Sequence, residues 1–313
     1  MTSKTYILCP GQGAQVVGMG QDLVEAFAVA RDVFERANAI LGFDLADICF
    51  NGPEQRLNQT DIAQPAIYVT SVACFAAAQE AGVIQPQQVS ACAGLSLGEY
   101  TALHLGGAFS FEDGLKLVAA RGRFMQQAAL ATPSTMVSLM GADEAAAVRL
   151  CQENAQGEVL VPANFNSPGQ IVLSGTIGAC QRVAAAAEAA GFKAIPLKVA
   201  GAFHSPLMQS AAQRMAEELE KVAFSTPRIT VYANVTARPH TDATSIKRLL
   251  VEQIVQPVRW EQTMHELISQ AEAQWIELAP GRVLSGLLRK INRRIPIQAL
   301  SSAQAIQQQK PVG

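Results

Sequence analysis

An α/β fold with a mostly parallel, doubly covered sheet is predicted by three observations. Short apolar runs alternate with longer stretches of helical spacing across both ends of the chain. A glycine-flanked serine, Gly94-Leu95-Ser96-Leu97-Gly98, stands where an apolar run gives way to a helical one. In mid-chain the order changes to β-α-β-β-α-β, the ferredoxin-like split unit, which predicts an inserted α+β subdomain.

The elements follow in order. Tyr6-Ile7-Leu8-Cys9 reads as a buried strand ended by Pro10-Gly11-Gln12-Gly13. Leu23, Phe27, Ala30, Phe34, Ala37 and Leu41 recur at helical spacing, and a second helix is expected after Pro65 through Ile67, Val72, Phe75 and Ala78. Val89 to Ala93 is the next strand. Ser110-Phe111-Glu112-Asp113 is a capping box opening a helix through Leu115, Val118 and Phe124. The insert then reads as strand Met136–Met140, helix Ala142–Gln152, strand Val159–Ala163, strand Gln170–Ser174, helix Ile177–Ala190 and strand Lys193–Val199. Helix and strand alternate again from Ser205 to Leu300. The tail from Ser301 to Gly313, rich in Gln and Ala, is expected to fray.

Composition narrows the function classes. Among 313 residues, 24 Lys+Arg face 26 Asp+Glu, a net charge of −2. So even a balance leaves no basic footprint for nucleic acid and no field to hold an anionic membrane. No apolar run approaching the ~20 residues of a membrane span is read, and Met1-Thr2-Ser3-Lys4 leads straight into a short apolar segment, so no secretory signal is expected. Six cysteines without Cys-x-x-Cys suggest neither a disulfide framework nor a zinc site. A cytoplasmic globular enzyme is the expectation.

Ser96 carries the chemistry. A hydroxyl that must meet a carbonyl carbon is best presented at a sharp strand-to-helix turn. Glycines on either side remove the Cβ atoms that would collide there, and the following helix aims its free N–H groups at the serine. The plainer reading is a glycine-rich turn whose serine only caps the helix. A nucleophilic serine needs a base, and the chain has four histidines: His104, His204, His240 and His265. His104 lies eight residues along the helix, about 12 Å from Ser96, and is excluded as its partner. His265 falls in a helical pattern, and His240, after Arg238-Pro239, is expected to be solvated. His204, in Gly201-Ala202-Phe203-His204-Ser205-Pro206 just after the insert, is placed to face a crevice between domains.

Together these residues resemble the malonyl-CoA:acyl carrier protein transacylase family of fatty acid synthesis. The resemblance runs over nearly the whole chain. It passes through Pro10-Gly11-Gln12-Gly13-Ala14-Gln15, Gly94 to Tyr100, Arg121-Gly122, Asn164 to Gln170, Gly201 to His204, Gln253 to Pro257 and Ala279-Pro280-Gly281. It implies a hydrolase-like three-layer α/β/α catalytic domain from residues 1–129 and 203–313, with 130–202 as the ferredoxin-like insert. It implies Ser96 as acyl-accepting nucleophile, His204 as base, Gln253 as the residue orienting that histidine through a backbone carbonyl, and backbone N–H groups of Gln12 and Leu97 as oxyanion hole. Close backbone approach would then explain Gly11 and Gly13. Arg121 matches the arginine that grips the malonyl carboxylate, a task suited to the planar guanidinium fork. The implied partners are malonyl-CoA and acyl carrier protein, with no metal and no cofactor of the chain's own, and the implied state is a monomer.

One residue departs from the family pattern: Leu95 stands before the nucleophile where histidine is common, which bears on the acyl pocket. Gly201 to His204 resembles the malonyl-selecting version of its motif. Met125, one turn after Arg121, is read as either pocket wall or core. Lys290, Arg293 and Arg294 are read as a carrier-docking patch or a solvated cluster. Rival functions remain at this point: a thioesterase, esterase or phospholipase-type hydrolase, a trans-acting acyltransferase of a polyketide or polyunsaturated lipid synthase, and a non-catalytic carrier-binding module.

Overall fold

The computed structural model describes residues 4–270 and 272–309. Strand β1 (Lys4–Cys9) leads into the short helices α1 (Gln21–Ala26), α2 (Ala28–Leu41), α3 (Leu45–Asn51) and α4 (Glu54–Leu57), then the long α5 (Thr60–Glu80). β2 (Val89–Gly94) turns sharply into α6 (Gly98–Leu105), followed by α7 (Phe111–Ala131). The middle of the chain holds β3 (Ser134–Met140), α8 (Glu144–Asn154), β4 (Leu160–Ser167), β5 (Gln170–Thr176), α9 (Ile177–Ala189) and β6 (Lys193–Pro196). The remainder comprises α10 (Gln209–Glu220), β7 (Thr230–Ala233), β8 (Arg238–Pro239), α11 (Ala243–Val255), α12 (Trp260–Gln270), β9 (Ala273–Leu278), α13 (Val283–Ile291), β10 (Ile297–Leu300) and α14 (Ala303–Gln307).

The first sheet has the order β10-β9-β1-β2-β7-β8 and is parallel except for its β7–β8 edge. Strand alternation explains why helices cover both faces. Ile7 and Cys9 of β1 enter one apolar core with α5 and α7, while Tyr6 and Leu8 enter another with Trp260, Met264 and Trp275. The second sheet is wholly antiparallel, in the order β4-β5-β3-β6, with α8 and α9 on one face and its own apolar core. That order is the ferredoxin-like arrangement expected from the β-α-β-β-α-β succession.

β4 ties the second sheet to the segment between α11 and α12. Its register on β5 shifts between Pro162 and Asn164, and Asn164, still paired with β5, also forms an isolated parallel bridge with Val258. Phe165 N–H donates to the Val258 carbonyl at 2.9 Å, and Val258 N–H to the Ala163 carbonyl at 2.8 Å. A bulge of this kind re-aims the strand, here bringing Asn164 to the seam.

Several element expectations need correction. The helix expected after Pro65 begins at Thr60, with Pro65 inside its second turn; the sequence reading let the proline stand as a boundary, but early in a helix few carbonyls are lost to it. α5 is also long and apolar enough, by length and composition, to cross a membrane, although no such run was read in the sequence. Its apolar window is 83% buried in the fold, as befits a core helix. The last strand of the insert stops at Pro196 instead of Val199. The tail, expected to fray, instead forms α14 through residue 307, capped by Ser302 and docked through Ala303 and Ile306. Residues 1–3 and 310–313, covered by the expectations on the leader and tail, lie outside the described residues. The capping box held: the Ser110 hydroxyl accepts from Asp113 N–H at 3.0 Å.

Candidate active site

The turn from β2 into α6 places Ser96 at φ 53, a left-handed conformation that costs a serine of order 1–3 kcal/mol. The flanking glycines are required by contact. A Cβ on Gly94 would lie 1.9 Å from the Gly98 carbonyl, and one on Gly98 would lie 2.1 Å from the Cys9 carbonyl at the end of β1. Any side chain at either position would force the helix off the sheet. Asn234, following β7, fixes the turn from behind: its Oδ1 accepts from Ser96 N–H at 2.6 Å, and its Nδ2 donates to the Gly94 carbonyl at 2.7 Å.

His204 meets Ser96 from the other side of the crevice. Ser96 Oγ lies 2.8 Å from His204 Nε2, and His204 Nδ1 lies 2.7 Å from the backbone carbonyl of Gln253. A carbonyl can only accept, so Nδ1 carries the proton and Nε2 is left to accept from the serine. Burial, reinforced by the Arg121 charge and opposed by the carbonyl bonds, lowers the His204 pKa to about 4. The imidazole is therefore neutral at pH 7. Like Ser96, His204 holds a left-handed backbone, φ 55.

Arg121 projects from mid-α7 into the same space and is 1% exposed. Its Nη1 donates to Gln64 Oε1 at 2.7 Å, and its Nη2 to Gln253 Oε1 at 2.8 Å and Ser96 Oγ at 3.1 Å. Tyr100 lies beneath it, 5.5 Å from guanidinium carbon to ring centroid. Its Nε has no acceptor, and among the described residues no carboxylate forms an ion pair with it. A buried cation bound only by neutral groups is poised for an anion. Gly122 allows this approach. A Cβ there would lie 2.6 Å from the Thr60 carbonyl, so the glycine lets α7 close on α5 and brings Gln64 to Arg121.

The crevice has a volume of about 390 Å³. Gln12, Leu95, Ser96, Arg121 and Met125 line one side; Met136, Asn164, Asn166 and Val172 of the second sheet line the other. Met125 is thus a wall of the pocket as well as a core residue. α13 contributes Val283 and Leu287, and its start is fixed by Glu277, whose buried carboxylate accepts from Leu284 N–H at 2.8 Å and Ser285 N–H at 2.7 Å. Lys290 reaches Gln170 at the crevice rim at 2.8 Å, while Arg293 and Arg294 lie with it in a separate surface depression.

Around Ser96, the N–H groups of Leu95, Ser96, Gly98, Glu99 and Tyr100 each have an acceptor. Leu97 N–H is the exception among the described residues, as befits a donor held open beside the serine. Gly11 passes so close to this turn that a Cβ would lie 2.2 Å from the Leu95 carbonyl. Gly13 is different. It has open space around it, and its φ of 98, not a close approach, accounts for glycine there.

Sequence reasoning missed Glu99, Asn234 and Gln64, and it misplaced His240. Expected in solvent, His240 has a side chain fully withdrawn from it, with Nε2 2.8 Å from Glu99 Oε1. β8 folds back against β7 and carries it inward, a long-range pairing that the polar Arg238-Pro239 context does not signal. His104 packs among Tyr68, Phe109 and Phe111, away from the site.

The acyl transferase domain family model matches residues 5–311. The chain belongs to the acyl transferase family. Within that family, a malonyl CoA-acyl carrier protein transacylase from Salmonella typhimurium is 39% identical over 307 residues, 98% of each chain. The solved malonyl CoA-acyl carrier protein transacylase from Coxiella burnetii superposes with a TM-score of 0.94 at 35% identity, covering 98% of this chain and 96% of that one. A malonyl-transacylase solved in complex with its type II polyketide acyl carrier protein gives a TM-score of 0.92 at 38% identity, over 97% of this chain and 98% of that one. The fold and the acyl transferase activity expected from the motifs are those of these relatives.

Proposed function

We propose that the chain moves a malonyl group from malonyl-CoA to the phosphopantetheine thiol of acyl carrier protein, through a malonyl ester on Ser96. The observation that carries this reading is the buried Arg121 beside the Ser96–His204 pair, a guanidinium without a carboxylate of its own. His204 Nε2 takes the Ser96 proton as Oγ attacks the thioester carbonyl. The backbone N–H groups of Leu97 and Gln12 receive the oxyanion, each such donor contributing roughly 3 kcal/mol to lowering the barrier. CoA leaves with the proton from His204. The carrier thiol then enters, gives its proton to His204 and attacks the ester carbonyl, and Ser96 leaves reprotonated. Arg121 holds the free carboxylate throughout, with its unpartnered Nε–H among the donors available. Gln253 orients His204 through its backbone carbonyl.

No cofactor of the chain's own enters these steps, since the only prosthetic arm is the carrier's. Action as a monomer in the cytoplasm is part of the same proposal. A second reading, service to a polyketide synthase, is favoured by the relative solved with a polyketide carrier. A general hydrolase is disfavoured because it has no use for a fixed carboxylate clamp.

The test is to incubate the protein with malonyl-, methylmalonyl- and acetyl-CoA and identify the acyl group on Ser96 by mass, with and without carrier protein. Malonyl-Ser96 that discharges onto the carrier is expected. Free malonate released as fast as the carrier is charged would sink the transferase reading.

A further inference from the structure

Behind the nucleophile lies a buried carboxylate that the steps above do not use. Glu99, in the first turn of α6, is fully buried, and both its oxygens have polar partners. Oε2 takes Gln253 Nε2–H at 2.7 Å and Asn234 N–H at 3.0 Å, and Oε1 lies 2.8 Å from His240 Nε2. Two N–H donors converge on one carboxyl oxygen, an arrangement that favours negative charge there.

Gln253 joins this carboxylate to the guanidinium. Its Nε2 faces Glu99 and the Ser96 carbonyl, the latter at 2.9 Å, while its Oε1 faces Arg121 at 2.8 Å. The amide dipole is therefore aligned between a negative and a positive group. We propose that Glu99 is the counter-charge of the empty site, a positioning residue that balances Arg121 through the Gln253 carboxamide without occupying the guanidinium.

The physics favours an interposed amide over a direct ion pair. A buried cation with neutral partners alone is costly, so a compensating charge stabilises the unliganded fold. A carboxylate bound directly to Arg121 would supply that charge but would also compete with any incoming carboxylate. One amide between them keeps the compensation and leaves donor positions open. Burial lowers the Arg121 pKa, and Tyr100 and Glu99 act against that shift. His240 and Asn234 hold Glu99 in place from β8 and from the loop after β7.

The alternative is that Glu99 merely anchors that loop to α6, and a double-variant cycle separates the two. Glu99→Gln keeps the shape and removes the charge; Arg121→Met removes the cation. If Glu99 balances Arg121, Glu99→Gln lowers the unfolding midpoint in the parent but has much less effect in the Arg121→Met background. Equal losses in both backgrounds would overturn the proposal. Should Glu99→Gln alone yield no folded protein, recovery of folded protein in the double variant supports the coupling, and failure of both overturns it.

The consequence for substrate rests on the reading of Arg121 as the acyl carboxylate seat, and it is measured separately. Glu99→Gln is expected to lower KM for malonyl-CoA roughly three- to tenfold, because the positive site loses its internal balance, while KM for acetyl-CoA stays unchanged. Stability coupling without this KM separation would leave the counter-charge standing and remove the carboxylate-seat reading.

Discussion

His204 donates its Nδ1–H to a carbonyl and feels one positive charge, that of Arg121, and these contacts make its protonation depend on substrate. In the free enzyme the acid limb of kcat/KM is expected near pH 4, not at the ordinary histidine value near 6.5. On the proposed role of Arg121, a bound malonyl carboxylate would cancel part of its charge, so the acid limb of kcat should lie at higher pH with malonyl-CoA than with acetyl-CoA. Coincident limbs for the two substrates would remove this link. Stability follows from the same shift. Between about 6.5 and about 4 the unfolded chain binds the proton and the folded chain does not, so folding weakens as pH falls through that window. The loss is roughly 3 kcal/mol at full extent, read as a falling denaturant midpoint. Two substitutions address the roles themselves. Ser96→Ala should abolish acyl-enzyme formation, a loss of at least about ten-thousand-fold, with the fold intact by circular dichroism. Arg121→Ala should cost malonyl transfer roughly 100-fold in kcat/KM and acetyl transfer far less.

At the level of elements, the site depends on two close crossings made possible by missing Cβ atoms. Where α6 leaves the sheet, Gly98→Ala should place a methyl against the Cys9 carbonyl. Several kcal/mol of stability should go with it, seen as a lowered thermal midpoint together with lost acylation. The strand, the elbow and the helix after it were legible in the sequence because all their determinants lie in the continuous stretch from Val89 to Leu105: an apolar run, two glycines and a helical repeat. Arg121 was not legible that way. Read alone, a mid-helix arginine belongs on a surface, and only the ordered set of motifs gave it a role. Glu99, Asn234 and His240 were harder still. They meet across separations of 135 and 141 residues, and no local pattern marks a histidine that a two-residue edge strand will carry indoors. α5 shows the reverse case, a strong local signal that misled, since Pro65 marks a boundary in isolation but sits within the early turns of a helix held by packing on α2 and α7.

For the molecule as a whole, the crevice is a seam between two sheets, the second with a core of its own on one face and Met136, Ala163 and Val172 packed into the main core on the other. On the proposed mechanism, its tightness would govern whether water reaches the acyl-enzyme before a thiol does. The bridge at Asn164 and Val258 closes that seam, and Val258→Pro would remove the 2.8 Å bond from its N–H to Ala163. The expected result is a higher ratio of malonate release to carrier charging, with acylation of Ser96 still occurring. An unchanged ratio would show that the bridge does not govern water entry. The parallel sheet and the antiparallel insert were both legible from element order. The bulge in β4 beside its bridge to Val258 was not, because it answers to a partner nearly a hundred residues away.

That seam also divides labour. Ser96, His204, Arg121 and Gln253 all lie outside the antiparallel sheet, which contributes Met136, Asn164, Asn166 and Val172 to the facing wall. Reaction and much of the enclosure around it are thus encoded in different stretches of chain. Selection can reshape the wall, one strand residue at a time, without disturbing the atoms that make and break bonds. For an engineer, that wall offers positions that can be varied without touching Ser96, His204, Arg121 or Gln253.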